Sequence, residues 1–167
     1  MPENQTLFEI TENHLNTGLR GIPVGTVRTS SVDPYEGVSY VGRSVKDLAD
    51  MDPEAVIYLL FNKNLPSADE LAAFKADLAA RSSVDPQVLS LLGQLPKEGH
   101  PMEWLINGLN LLGMVGKAKP DGSAFYDDAL NLVARAPTVI AAIFRLRSGW
   151  GEPIGSRPEL GLIENFV

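Results

Sequence analysis

Five times between residues 44 and 101 the chain sets a helix-starting device in front of an apolar run, and no other feature constrains its fold as much. Ser44-Val45-Lys46-Asp47 and Ser67-Ala68-Asp69-Glu70 have the form of a capping box, in which a hydroxyl and a carboxyl group satisfy orphan backbone donors reciprocally. Asp52-Pro53, Asp85-Pro86 and His100-Pro101 place a polar residue ahead of a first-turn proline, where a fixed φ helps and a missing N–H does no harm. Helical spacing follows the last four: Ala55, Val56, Leu59 and Leu60; Leu71, Phe74 and Leu78; Val88, Leu91, Leu92 and Leu95; Leu105, Leu109 and Leu112. After a Gly/Lys/Pro loop at 116–122, Phe125 to Ala136 and Pro137 to Ser148 read as two more helices, kinked or divided by the proline. A Gly/Pro/Ser loop at 149–158 leads to a last helical start in the final ten residues.

Ahead of these helices, residues 17–43 hold five of the 15 glycines and two β-leaning pieces, VGTVRTS (24–30) and VSYV (38–41). Between the pieces, Asp33-Pro34-Tyr35-Glu36-Gly37 combines a fixed proline φ, an Asx-type aspartate and a permissive glycine, which is turn chemistry for a small hairpin. The predicted fold class is therefore all-α and multi-helical, about seven short helices, with a small N-terminal β-hairpin; strands are too few for a parallel sheet. The domain organisation read from this is an N-terminal extension at 1–16, a hairpin region at 17–43 and a helical part at 44–167. With 167 residues and 44% hydrophobic content a core can be buried, and disordered, collagen-like and coiled-coil classes are excluded.

Composition narrows the chemistry. No cysteine is present, which removes disulfides, thiolate metal sites and cysteine nucleophiles, and fits a reducing compartment. The two histidines, His14 and His100, are far apart, so no metal site is expected. Net charge is −7, concentrated in residues 36–103 (6 bases, 11 acids), and no basic stripe runs along the chain, which disfavours nucleic acid. The first residues lack the basic and apolar regions of a signal peptide. The apolar stretches 55–61 and 138–144 are shorter than the ~18 residues of a membrane span. The expectation is a soluble, cytoplasmic protein with neither membrane nor nucleic-acid partner.

Few polar constellations stand out. GLRGIPVG (18–25) opens no helix and lacks the lysine and hydroxyl of a phosphate loop. His100, flanked by Glu98 and Glu103, is the one acid/base candidate, though its place before a helix-starting proline suits a capping or packing role. Asp127 and Asp128 are adjacent, point about 100° apart on a helix and sit where the helix dipole favours anions. Arg135, Arg145, Arg147 and Arg157 have only Glu152 between them as a counter-charge and could hold a phosphate or carboxylate together, or serve surface ion pairs. Gly108, Gly113 and Gly116, set among leucine stripes, would allow close helix approach, and an oligomer interface is expected there.

Taken in order, several short motifs resemble the N-terminal portion of the large domain of citrate synthase and its relative 2-methylcitrate synthase. They are Gly18-Leu19-Arg20-Gly21; Gly37-Val38-Ser39-Tyr40 with Val45-x-Asp47-Leu48-Ala49; and Ala55-x-x-Tyr58-Leu59-Leu60 with Leu65-Pro66. Then come Leu95-Pro96 with His100-Pro101-Met102, the run Ala136-Pro137-Thr138-Val139-Ile140-Ala141-Ala142, and Glu164-Asn165-Phe166. The family commonly has Tyr-Arg-Gly at the hairpin end, where this chain has Tyr40-Val41-Gly42 with Arg43 one place beyond. The resemblance implies a carbon–carbon condensation: an aspartate takes a proton from the acetyl-CoA methyl, a histidine stabilises the enol, and the enol attacks oxaloacetate before thioester hydrolysis releases CoA and citrate. It also implies that those catalytic residues, and most of the substrate-holding arginines, lie in segments after the Glu-Asn-Phe motif. The chain is therefore expected to be a fragment, inactive alone, with no catalytic residue to assign, no resident cofactor beyond acetyl-CoA as substrate, and a homodimeric parent. The alternative is a naturally short, non-catalytic helical subunit or interaction module built on the same scaffold. His100-Pro101-Met102 reads as a structural landmark rather than a nucleotide effector site.

Overall fold

A computed structural model describes residues 6, 8–18, 20–116, 124–157 and 159–166. It divides into two compact units, 1–49 and 50–167. The expected loop at 116–122 lies outside the described residues except for Gly116, as does most of the start of the predicted extension.

The first unit holds a short 3-10 helix, Glu12–Asn16, and a three-stranded antiparallel sheet in the order β1 (Ser30–Asp33), β2 (Gly37–Tyr40), β3 (Arg43–Ser44). The turn chemistry sets the register. Asp33 Oδ1 accepts the N–H groups of Tyr35 (2.8 Å) and Glu36 (2.9 Å), Gly37 takes φ 90°, and Asp33 then faces Gly37, Val32 faces Val38 and Ser31 faces Ser39. Those two N–H donors, Glu36 first, hold the Asp33 carboxyl below its ordinary value. The first strand thus lies at 30–33 rather than 24–30, because pairing is counted from the turn. A third strand, not expected, follows a two-residue turn in which Val41 (φ 50°) and Gly42 (φ 75°) are both left-handed. A β-branched residue is strained there. Ser44 then caps a single-turn helix, α1 (Val45–Leu48), by accepting from the Lys46 N–H at 3.2 Å. The reciprocal half of the predicted capping box does not form.

The second unit is helical: α2 (Pro53–Asn62), α3 (Ala68–Arg81), α4 (Pro86–Leu92), α5 (Pro101–Val115) and α6 (Phe125–Ser148). Ser67 and Glu70 form the full capping box of α3, and Asp85 Oδ1 accepts from the Gln87 N–H at 2.8 Å to start α4. Asp52 departs from expectation. Its carboxylate makes no cap bond and instead meets Lys75 of α3 at 2.6 Å, a bond that raises the lysine pKa.

Two corrections concern the C-terminal third. Residues 125–148 form one helix with Pro137 inside it, not two. Proline removes one backbone bond, but the buried stripe continues across it. Leu130 and Ala134 pack with Phe74 and Leu78 in one core cluster, and Val139 and Ile143 pack with Val88, Leu92, Trp104 and Leu112 in another. Proline therefore sits where one helix passes from the first cluster to the second, and burial on both sides offsets the lost bond. Joined in this way, α6 is long and apolar enough to cross a membrane by length and composition. Its buried face is the spine of these two clusters. Residues 159–166 form turns rather than the expected helical start, for reasons given below. Of the three glycines expected to allow close approach, Gly108 does so: an added Cβ would stand 2.8 Å from Val139 Cγ1. At Gly116 it would meet the carbonyl of Leu112 in its own helix, and at Gly113 it would meet nothing within 4 Å.

Candidate functional site

His100 acts at the start of α5. Its Nδ1 accepts the Met102 N–H at 3.1 Å while Glu103 Oε2 accepts the His100 N–H at 2.7 Å. An Nδ1 that accepts carries no proton, so the neutral ring has its N–H on Nε2. The loop before it is held both from α5 itself and from α6. Trp104 Nε1 donates to the Pro96 carbonyl at 3.0 Å, and Arg147 of α6 donates to the Gly99 carbonyl with its guanidinium 5.5 Å from the Trp104 ring centre. His14 works similarly, its Nδ1 accepting the Thr11 N–H at 2.9 Å ahead of the 3-10 helix.

The paired acids separate. Asp127 meets Arg81 at 3.1 Å, and Arg81 also reaches Asp77 at 2.8 Å and the Asn131 side chain at 3.2 Å. The Arg81 carbonyl in turn accepts from Arg135 Nε at 3.1 Å. The bond to Asp77 is the first cause of a raised Arg81 pKa. This α3–α6 junction was not singled out in the sequence; its one local signal is the Asp77–Arg81 spacing of four on a helix.

The four arginines do not converge as a group. Arg135 belongs to the α3 junction and Arg147 to the His100 loop. Arg145 and Arg157 do share a cleft of about 420 Å³ between the end of α6 and the segment 150–166, with Phe144, Trp150, Ile154 and Phe166 on its walls. Arg145 is engaged in closing the helix: its Nε donates to the Glu152 carbonyl at 3.0 Å and a terminal nitrogen to the Trp150 carbonyl at 2.8 Å, while Gly149 turns with φ 70°.

Asn165 explains why the last segment is not a helix. Its Nδ2 lies 3.0 to 3.1 Å from the carbonyl oxygens of Arg157, Leu160 and Gly161, and its Oδ1 accepts the Arg157 N–H at 2.7 Å. Its two N–H groups, shared among these carbonyls, and its Oδ1 staple the segment into a loop in which one helix-like backbone bond remains, from the Asn165 N–H to the Gly161 carbonyl at 3.0 Å. Glu164 Oε2 accepts the Gly161 N–H at 2.8 Å. The loop is docked from beneath by two buried polar groups: Glu54 of α2, 7% exposed, accepts the Leu162 N–H at 3.3 Å, and the Ser82 hydroxyl, which donates to the Ala79 carbonyl at 2.7 Å, is hydrogen-bonded to that of Ser156 at 2.9 Å. Above, the aromatic walls are open, with Trp150 65% exposed and Phe144 52%. Apolar walls beside guanidinium groups are suited to holding a surface or an anion, and the one carboxylate lining the cleft, Glu164, is already hydrogen-bonded to the loop.

The helical body with a small antiparallel sheet, and a Glu-Asn-Phe loop stapled against it, defines a multi-helical all-α scaffold. The chain belongs to the citrate synthase family: the family model described as citrate synthase, C-terminal domain, matches residues 18–167. A 2-methylcitrate synthase of Mycobacterium tuberculosis is 35% identical over 155 residues, covering 92% of this chain and 39% of that protein. Citrate synthase 2 of Bacillus subtilis is 32% identical over 154 residues, covering 90% and 41%. The crystal structure of citrate synthase from Thermotoga maritima matches with a TM-score of 0.74 at 27% identity, over 89% of this chain and 39% of that one. A Thermoplasma acidophilum citrate synthase, solved with carboxymethyl coenzyme A and oxaloacetate, shares the fold with a TM-score of 0.79 at 20% identity, over 90% and 40%. The chain thus spans about two fifths of the length of the relatives it matches.

Proposed function

We propose that this chain is the N-terminal part of the large domain of a citrate synthase, that the whole protein condenses acetyl-CoA with oxaloacetate, and that residues 1–167 alone do not. The observation that carries the reading is the partial coverage: nearly all of this chain aligns, against about 39% of a relative. The two histidines support it, since each uses its Nδ1 to cap a helix start. No resident cofactor enters this reading; acetyl-CoA is a substrate, with propionyl-CoA the competing donor because relatives carry both names. The cytoplasm is the proposed compartment, in keeping with a chain that has no cysteine. The same lack makes the test clean: release of CoA can be followed with a thiol reagent without protein background. The expected result is no thiol release by the purified chain with oxaloacetate and either acyl-CoA. Turnover would overturn the proposal.

The parent protein is further proposed to be a homodimer, with the outer face of α5 in the interface. Met102, Ile106 and Met114 are exposed along this helix, and beside them Gly113 faces open space. A glycine inside a helix costs roughly 0.5–1 kcal/mol relative to alanine, and at Gly113, which no described side chain covers, close approach of a second copy would offset that cost. Light scattering of the whole parent protein is expected to give twice its own chain mass, and Gly113→Leu to return it to a monomer. A wild-type monomer at all concentrations overturns the dimer.

A further inference from the structure

We draw no further inference here: the strongest candidate, the cleft between the end of α6 and the 150–166 loop, where Phe144, Trp150, Ile154 and Phe166 stand exposed beside Arg145 and Arg157, carries nothing because nothing in the structure shows what covers it.

Discussion

Residues 1–49 and 50–167 use the same kind of local device and differ in what lies behind it. In the first unit, Asp33 gathers two backbone N–H groups and fixes a hairpin; in the second, Glu70 gathers the Ser67 N–H at 2.8 Å and the Tyr58 hydroxyl at 3.2 Å and fixes the start of α3. Behind Glu70 come Phe74 and Leu78, both buried. Behind Asp33 come Val32, 76% exposed, and Val38, and among the described residues of the unit only Leu48 is buried. Local hydrogen bonds can choose a register. They do not by themselves supply the apolar burial that holds an element together, and a few short strands are marginal without it.

The largest test of this contrast is Leu92→Ala. Leu92 is fully buried between α5 and α6, beside Gly108 and Val139. Truncation should cost about 2–5 kcal/mol, read as a lower urea midpoint for helical circular dichroism. Hydrogen exchange at the β1–β2 amides should not change with it. If those amides lose protection in step, the two units unfold together and the contrast is wrong.

A smaller effect of opposite sign is expected from Val41→Asn. The left-handed conformation of Val41, in the tight turn between β2 and β3, is one that asparagine accepts and that Asn-Gly prefers. Relief of this strain should stabilise the hairpin by about 1 kcal/mol, seen as slower amide exchange in β1 and β2 with no shift in the helical midpoint. Unchanged exchange would mean that the turn does not limit the stability of the first unit.

The same division between local and distant causes decides what was legible in the sequence. Helix starts at Ser67, Asp85 and His100 could be read because cap and proline lie within three residues of the groups they satisfy. The hairpin turn was legible for the same reason, and its strand boundaries followed only once the turn was used to count pairs. The continuity of α6 through Pro137 was not, since it depends on side chains of α3, α4 and α5 that bury both halves. The polar junctions were equally hidden: Arg81 meets Asp127 across 46 residues, and Glu54 meets the Leu162 amide across 108. No spacing rule reaches that far. Resemblance did better at this range, because Glu164-Asn165-Phe166 was singled out as a motif, although the stapling role of Asn165 emerges only from its three carbonyl partners.

The smallest effect expected is the acid response, and it tests the two units with one variable. Backbone donors hold Asp33 and Glu70 below their ordinary values, the Glu36 N–H leading in the first case and the Ser67 N–H in the second. A folded carboxyl that gives up its proton more readily than the unfolded one contributes stability above the ordinary range, about 3.9 to 4.3, and loses it as pH falls through the lower folded value. Both groups face solvent, so screening keeps each contribution small. What should differ is the consequence. Below pH 4, amide chemical shifts of Tyr35 and Glu36 should move together with loss of the β1–β2 pairing, whereas the Glu70 and Ser67 amides should move while the rest of α3, anchored by Phe74 and Leu78, stays formed. Asp33→Asn and Glu70→Gln should each remove the response in its own unit alone. A hairpin that keeps its pairing to pH 3, or an α3 that melts entirely with Glu70, would show that burial does not separate the two units.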